Sequence, residues 1–278
     1  MSDPAAAVAA LEARATIART PCGAGSMVWH VWGKGAPLAL LHGGYGSWTH
    51  WFRNIAPLAQ RYRLLVPDLP GLGDSGMPPE PYSAASIAEI VVAGLRLLVS
   101  ADERPDIVGI SFGGLIGGHA AVGLGATVRN LVLVGSGGLG VPRRAAVELV
   151  NWRERPEKVA QREAHRENLA ILMFADRGNI DDLAIHLQLR NAERARAKSR
   201  PLSRAATLLT ALPQVRARLQ GIWGERDITS LGALDEHRRV LQSFQPGTSF
   251  TVIPRAGHWV QYEAAEAFDA ELVRLLAA

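Results

Sequence analysis

Five residues, Gly109-Ile110-Ser111-Phe112-Gly113, carry the pattern G-x-S-x-G, in which a serine sits on a tight turn between a strand and a helix with its hydroxyl presented outward. The two glycines have a steric task, because side chains at those positions would collide with the turn. The flanks agree: Pro105-Asp106-Ile107-Val108 reads as a buried strand and Leu115 to Gly123 as the helix that follows. A serine hydroxyl is a weak nucleophile until a positioned base takes its proton, and that base needs an acid to fix its tautomer. Among eight histidines, His258 stands apart, since it follows the strand-like Ser249 to Ile253 through Pro254-Arg255-Ala256-Gly257, a loop able to reach over a sheet edge. His119, His165, His186 and His237 fall in helical stretches and His30 in a strand, where packing or surface roles are ordinary. Asp227, in Trp223-Gly224-Glu225-Arg226-Asp227 and 31 residues before His258, is the leading acid; Glu225 and Asp235 are the alternatives. Ser111, His258 and Asp227 together would attack a carbonyl carbon.

These residues need a frame that brings strand ends together. Apolar runs recur at Met27 to Trp32, Leu38 to Leu41, Arg63 to Val66, Ile107 to Ile110, Asn130 to Val134, Leu219 to Trp223 and Ser249 to Ile253, which predicts seven or eight strands. Helical stretches lie between most of them, at Trp48 to Gln60, Ala84 to Ser100, Phe112 to Leu124 and Leu234 to Ser243. Such alternation predicts an α/β fold with a mostly parallel sheet covered on both faces. The first two runs are too close for a helical crossover, so they are expected to pair as an antiparallel hairpin. From Val134 to Leu219 the alternation stops and the chain reads as charged helices. The domain reading is therefore a core of residues 1–140 and 211–278 with a helical lid inserted at 141–210. That lid holds 14 Lys and Arg against 9 Asp and Glu, a balance of +5 that leaves −1 for the rest of the chain. Either it is a solvated helical face, or it draws an anionic substrate.

Composition removes other classes. The 278 residues are 48% hydrophobic, enough for one large core. A net charge of +4 is too mild to argue for nucleic-acid binding. One cysteine, Cys22, can build neither an intrachain disulfide nor a thiolate metal cluster, and a reducing cytoplasm is the simplest compartment. The Ala-rich start is broken by Asp3, Glu12, Arg14 and Arg19, so it reads as mature protein rather than an export signal. The most apolar long stretch, Ile107 to Leu124, holds Ser111, His119 and six glycines and makes a poor membrane span. Gly71 to Gly76 and Gly135 to Gly140 each satisfy G-x-G-x-x-G, yet neither opens a helix directly from a strand with an acidic residue at the required distance, so no dinucleotide site is expected. No ligand cluster for a metal is visible, and no cofactor is expected.

Serine, acid and base in that chain order, each on a loop after a strand, is the arrangement of the α/β-hydrolase fold. The sequence resembles that superfamily over nearly its whole length: His42-Gly43-Gly44-Tyr45-Gly46 is similar to its oxyanion loop, and Asp68-Leu69-Pro70-Gly71-Leu72-Gly73-Asp74-Ser75 to its D-x-P-G-x-G-x-S turn. The resemblance implies an oxyanion hole made by the backbone N–H groups of Gly44 and Phe112, each worth about 3 kcal/mol in a dry, oriented site, with His42 structural. Within the superfamily the chain most resembles the meta-cleavage product hydrolases, which cleave a carbon–carbon bond. The carrying residues are Gly257-His258-Trp259-Val260-Gln261-Tyr262-Glu263, Val134 to Gly140 entering the lid, Trp48 and Arg53-Asn54.

That resemblance implies substrate contacts from Gly43, His50, Ile110, Trp259 and a lid arginine for the dienoate, Arg190, with Gln188 two residues away as the alternative. A guanidinium fork suits a carboxylate. Ile110 and His50 stand where that family has asparagines. The departure keeps a carboxylesterase for short-chain esters open beside the carbon–carbon hydrolase, with a pocket lined by Trp48, Phe112, Met173, Phe174 and Trp259. A ligand receptor on the same fold is a third reading. The expected partner is a small, anionic molecule, with no nucleic acid or membrane; a homo-oligomer stays open.

Overall fold

The computed structural model of the chain describes residues 3–142 and 148–277; residues 143–147, inside the expected lid, lie outside the described residues. The first helix, α1 (Pro4–Glu12), is capped by Asp3, whose carboxylate accepts the Ala5 N–H. The strands are β1 (Thr16–Cys22), β2 (Gly25–Trp32), β3 (Ala36–Leu41), β4 (Tyr62–Pro67), β5 (Asp106–Ile110), β6 (Asn130–Val134), β7 (Arg218–Gly224) and β8 (Ser249–Ile253). They form one sheet in the order β1-β2-β4-β3-β5-β6-β7-β8. β2 runs antiparallel to both of its neighbours, and from β4 to β8 every pairing is parallel.

The expected hairpin between Met27–Trp32 and Leu38–Leu41 does not form. β2 pairs instead with β1 and β4, and β4 lies between β2 and β3. β1 left no apolar run because it is an edge strand, with Thr20 and Cys22 buried and most of its other residues exposed. The short β2–β3 link needs Gly33 and Gly35 at φ +73° and +105°. A Cβ on Gly33 would stand 2.3 Å from the Tyr62 carbonyl, so the link passes hard against the start of β4.

A single tight turn, Trp48–Trp51, leads into α2 (Phe52–Leu58); α3 (Ala84–Leu98) precedes β5 and α4 (Phe112–Leu124) follows it. Between β6 and β7 run α5 (Lys158–Leu172), α6 (Asp182–Arg194), α7 (Ser199–Arg204) and α8 (Leu208–Ala211). α9 (Leu234–Phe244) joins β7 to β8, after which come α10 (Val260–Glu263) and α11 (Ala265–Ala277).

Because successive strand residues point to opposite faces, the sheet splits its apolar side chains into two cores. Leu40, Val66, Val108, Val132 and Ile222 pack with Ile55 of α2 and Phe268 and Leu272 of α11. Leu41, Leu65, Ile107, Leu131 and Leu219 pack with Val91 of α3, Leu115 of α4 and Leu241 of α9. β5 and β6 are buried along their whole length, the signature of strands covered on both sides. Among the described residues no helix is long and apolar enough to cross a membrane.

The inserted helices dock on the strand ends through polar bonds. Asn191 of α6 accepts the hydroxyls of Ser47 (2.7 Å) and Thr49 (3.2 Å), Arg53 pairs with Asp181 at 2.7 Å, and Arg194 bonds Asp74. The expected lid ends before its last helix, since Leu208 of α8 packs into the core beside α4, over Gly118.

Candidate active site

The chain leaves β5 through Ser111 at φ 53° and ψ −112° and enters α4 at the next residue. Backbone there is so crowded that a Cβ on Gly109 would lie 2.3 Å from the Gly113 carbonyl, and one on Gly113 2.3 Å from the Leu41 carbonyl. The strained turn is held from outside: the Ser111 N–H donates to the Val134 carbonyl at 2.8 Å, and the Ser111 carbonyl accepts from Gly114 and Leu115. A serine in this region of backbone space costs energy that the surrounding structure must supply.

His258 arrives from β8. Its loop is shaped by Arg255 at φ 58°, whose N–H donates to Glu225, and by the Gly257 N–H, which donates to Glu263 at 2.7 Å. His258 Nδ1 lies 2.8 Å from Asp227 Oδ2, and both residues are buried. The other oxygen, Asp227 Oδ1, accepts the Thr229 N–H and the Thr229 hydroxyl, each at 2.8 Å. Burial pushes the Asp227 carboxyl up, but the charge and hydrogen bond of His258 and the two Thr229 bonds together hold it below the usual carboxylate range. Gly135 brings the imidazole to the serine turn. A Cβ there would stand 3.2 Å from His258 Nδ1, and the residue before it, Val134, receives the Ser111 N–H. The two alternative acids are occupied elsewhere: Glu225 on the Arg255 amide, Asp235 on Arg238 at 3.1 Å.

Gly44 lies against Phe112, its empty Cβ position 3.7 Å from Phe112 Cβ, and the empty Cβ position of Gly43 is 3.6 Å from Ser111 Cβ. Phe112 is the first residue of α4, where backbone N–H groups have no partner within the helix. The Gly43 N–H, by contrast, is taken by His50 Nδ1 at 3.2 Å. That bond sets the His50 tautomer: in the neutral ring Nδ1 accepts, so the proton sits on Nε2. Burial, then the neighbouring His42 and His258, press His50 down to about 3. His42 is pressed to about 4 by burial against the pull of the Gly43 carbonyl; its Nε2 accepts the Leu69 N–H at 2.8 Å, which suits a structural residue.

A cavity of about 320 Å³ opens beside this loop, with Gly44, Tyr45 and His50 on one wall and lid residues on the other. Gln188 of α6 lines it; Arg190 does not. Two positions along a helix is a rotation of roughly 200°, and Arg190 points back toward α1, 4.0 Å from Glu12. The cavity's cations are Arg153, stacked on Trp152 at 4.4 Å, and Arg200.

Two other expected contacts are also placed differently. Ile110 is fully buried in the apolar cluster that includes Trp259, on a strand face rather than a cavity wall. Trp259 is fully buried too; it stacks on Tyr262 at 4.3 Å, and its indole N–H donates to the His50 carbonyl at 2.9 Å. Of the expected apolar liners, Met173 faces the cavity, while Trp48 packs against His30 and Trp32.

Two residues that matter here, Thr229 and Arg200, are not singled out by the sequence, nor is the role of a third, Glu263. Thr229 carried a signal, a hydroxyl residue two positions after an aspartate, the spacing of a local side-chain turn. Glu263, quoted in the sequence only as the end of the Gly257–Glu263 motif, accepts the amides of Ala175, Asp176 and Gly257 and so ties the inserted segment to the His258 loop. Arg200 was hidden among 14 basic lid residues.

The profile of the alpha/beta hydrolase family matches residues 38–271 of the chain. The chain is 28% identical over 256 residues to a 2-hydroxy-6-oxo-6-phenylhexa-2,4-dienoate hydrolase of Burkholderia cepacia, covering 85% of this chain and 86% of that protein. It is 31% identical over 271 residues, 88% of each, to a 2-hydroxy-6-oxononadienedioate/2-hydroxy-6-oxononatrienedioate hydrolase of Cupriavidus pinatubonensis. A crystallised meta-cleavage product hydrolase of Pseudomonas fluorescens superposes with a TM-score of 0.73 at 23% identity over 92% of this chain and 96% of that one, a likeness of fold.

Proposed function

The chain belongs to the alpha/beta hydrolase family of enzymes, and from that premise we propose that it cleaves a carbon–carbon bond in a small, carboxylate-bearing carbonyl compound of the meta-cleavage type. The observation that carries the reading is the 2.8 Å bond from His258 to the buried Asp227, set beside the strained turn of Ser111. Ser111 is the nucleophile. His258, oriented by Asp227, takes the proton from Ser111 or from water, and the amides of Gly44 and Phe112 receive the oxyanion. Breaking a carbon–carbon bond also requires a place for the departing electron pair. If a 2-hydroxydienoate is first ketonised in the site, the conjugated carbonyl accepts the pair as an enolate, which is then protonated; hydrolysis frees the acid from the other half.

Support for an anionic substrate comes from Arg153 and Arg200 on the cavity wall and from the positive balance of residues 141–210, whose part before α8 we assign as the lid. The curated relatives named for dienoate hydrolysis point to the same class.

One observation favours a second reading, carboxylesterase on short-chain esters: Ile110 brings no polar group to the acidic end of a substrate, and an ester needs only the triad, the oxyanion hole and an apolar wall such as Met173. The discriminating experiment compares kcat/KM for a 2-hydroxy-6-oxo-hexa-2,4-dienoate and for p-nitrophenyl butyrate, with Ser111→Ala as the blank. A dienoate preference of a hundredfold or more supports the carbon–carbon reading. Preference for the ester replaces it with the carboxylesterase, and near-wild-type turnover by Ser111→Ala removes both.

A further inference from the structure

We propose that Ser199, on the lid helix α7, gives a third hydrogen-bond donor to the oxyanion that forms at Ser111, so that the oxyanion hole is complete only while the lid is docked. This rests on the serine-hydrolase reading above.

Ser199 is 2% exposed, and among the described residues its Oγ has no hydrogen-bond partner. It sits where Gly44 has no side chain: a Cβ on Gly44 would stand 2.5 Å from Ser199 Oγ and 3.2 Å from its Cβ. Since Cβ and N of one residue are roughly 2.5 Å apart, the hydroxyl lies within about 5 Å of the Gly44 nitrogen. The same empty position is 3.7 Å from Phe112 Cβ. The lid hydroxyl thus lies beside the two residues whose amides are the proposed backbone donors. Other buried polar atoms without a partner lie elsewhere, such as those of His165, packed on Trp152 within the lid, and His237, stacked on Trp223.

The hydroxyl is also held in place. The three amides before it all donate to the core: Arg196 and Ala197 to the Gly71 carbonyl at 2.9 and 3.0 Å, and Lys198 to the Tyr82 hydroxyl at 3.1 Å. The Arg196 guanidinium adds a bond to the Ser75 carbonyl. Donors that are fixed before reaction need no reorganisation when charge appears, which is what makes them effective. A buried hydroxyl without an acceptor is unfavourable in the resting protein, and an oxyanion that exists only during turnover would supply the acceptor. Ser199 keeps its proton throughout; it donates a hydrogen bond and moves no electrons.

The test uses the full chain, with kcat, KM and thermal midpoint measured for the wild type, Ser199→Ala, Ser199→Cys and Ser111→Ala on whichever of the dienoate or p-nitrophenyl butyrate the wild type turns over faster. Alanine removes the donor, and cysteine keeps most of the volume with a weak one. Both Ser199 variants are expected to lose at least tenfold in kcat with KM within threefold, since the bond exists only in the transition state. The midpoint of Ser199→Ala should stay or rise, because no resting hydrogen bond is lost. If Ser111→Ala abolishes turnover while Ser199→Ala keeps kcat within twofold, the proposal is overturned and the hydrolase reading stands. Full activity in Ser199→Cys, or a lowered midpoint accompanying the loss in both variants, assigns Ser199 to lid packing and also overturns it. Turnover that survives Ser111→Ala removes the underlying reading, and this proposal with it.

Discussion

Replacing Asp227 by asparagine isolates the electrostatic and tautomeric part of the proposed mechanism without changing volume. Asp227 Oδ1 holds the amide and hydroxyl of Thr229, both donors, so the oxygen of a substituted amide must stay on that side and its NH₂ must face His258. An NH₂ donor opposite Nδ1 forces that nitrogen to become the acceptor and moves the imidazole proton to Nε2. The base then has no lone pair for the serine proton. In a Ser-His-Asp unit this exchange costs about 10⁴-fold in kcat, or about 5.4 kcal/mol of barrier at about 1.36 kcal/mol per tenfold. Asp227→Asn should therefore lower kcat by about 10³ to 10⁴ with KM nearly unchanged, since Asp227 is buried and does not line the cavity at Gly44 and His50. Asp235→Asn, whose partner is the surface Arg238, should stay within twofold. Steady-state kinetics on p-nitrophenyl butyrate or the dienoate decides it, with circular dichroism to check the fold. A loss of less than tenfold in Asp227→Asn, or a larger loss in Asp235→Asn, would refute the assignment of the acid. The same substitution has a pH signature. The folded carboxyl lies below its free value of 3.8, so its contribution to stability is present above that pH and is lost as pH falls through the lower folded value. Asp227→Asn should remove that share of acid sensitivity.

Arg200→Gln should raise KM for the dienoate at least tenfold and leave KM for the neutral ester within twofold, whereas Arg190→Gln, directed at Glu12, should change neither. Equal effects of Arg200→Gln on both substrates would count against a carboxylate contact. His50 titrates at about 3 in the fold and 6.5 when free, with burial the main cause. Between those values the unfolded chain binds a proton that the folded one rejects, so this contribution is complete above pH 6.5 and is lost as pH falls toward 3. His50→Asn should flatten the fall of the thermal midpoint between pH 6.5 and 4; an unchanged slope by scanning calorimetry would contradict a buried, neutral His50.

The parts legible in sequence are those whose constraint is local. Gly109 and Gly113 are readable because backbone crowding at the turn admits no other residue, and Ser111 then follows from its place between a buried strand and a helix. His258 and Asp227 were readable as loop residues after apolar runs, since a strand end fixes where the next residues emerge. β1 was not, because an edge strand with few inward-facing positions has no hydrophobic period to detect. Missing it misassigned the partner of β2. Pairing between β2 and β4 joins residues more than thirty positions apart, and no local pattern encodes that choice.

The lid is harder for a geometric reason: each residue along α6 turns the side chain by about 100°, so a two-residue uncertainty reverses the face. Gln188 and Arg190 sit on opposite outcomes of that uncertainty, one at the cavity and one at Glu12. Of the basic residues in 141–210, Arg153 and Arg200 line the cavity. The packing also joins three segments that sequence presents as separate. Trp259, one residue after His258, donates its indole N–H to the His50 carbonyl and its backbone N–H to the Met173 carbonyl, while Glu263 ties Gly257 to Ala175 and Asp176. His50 in turn holds the Gly43 amide at the start of the oxyanion loop. The His258 loop, the inserted segment and the loop proposed to hold the oxyanion are thus connected through bonds that no one of them can make alone. Ser199 seated on Gly44 closes that set from the lid side. A change that undocks the lid should reach the chemistry as well as the substrate, and it should do so through kcat.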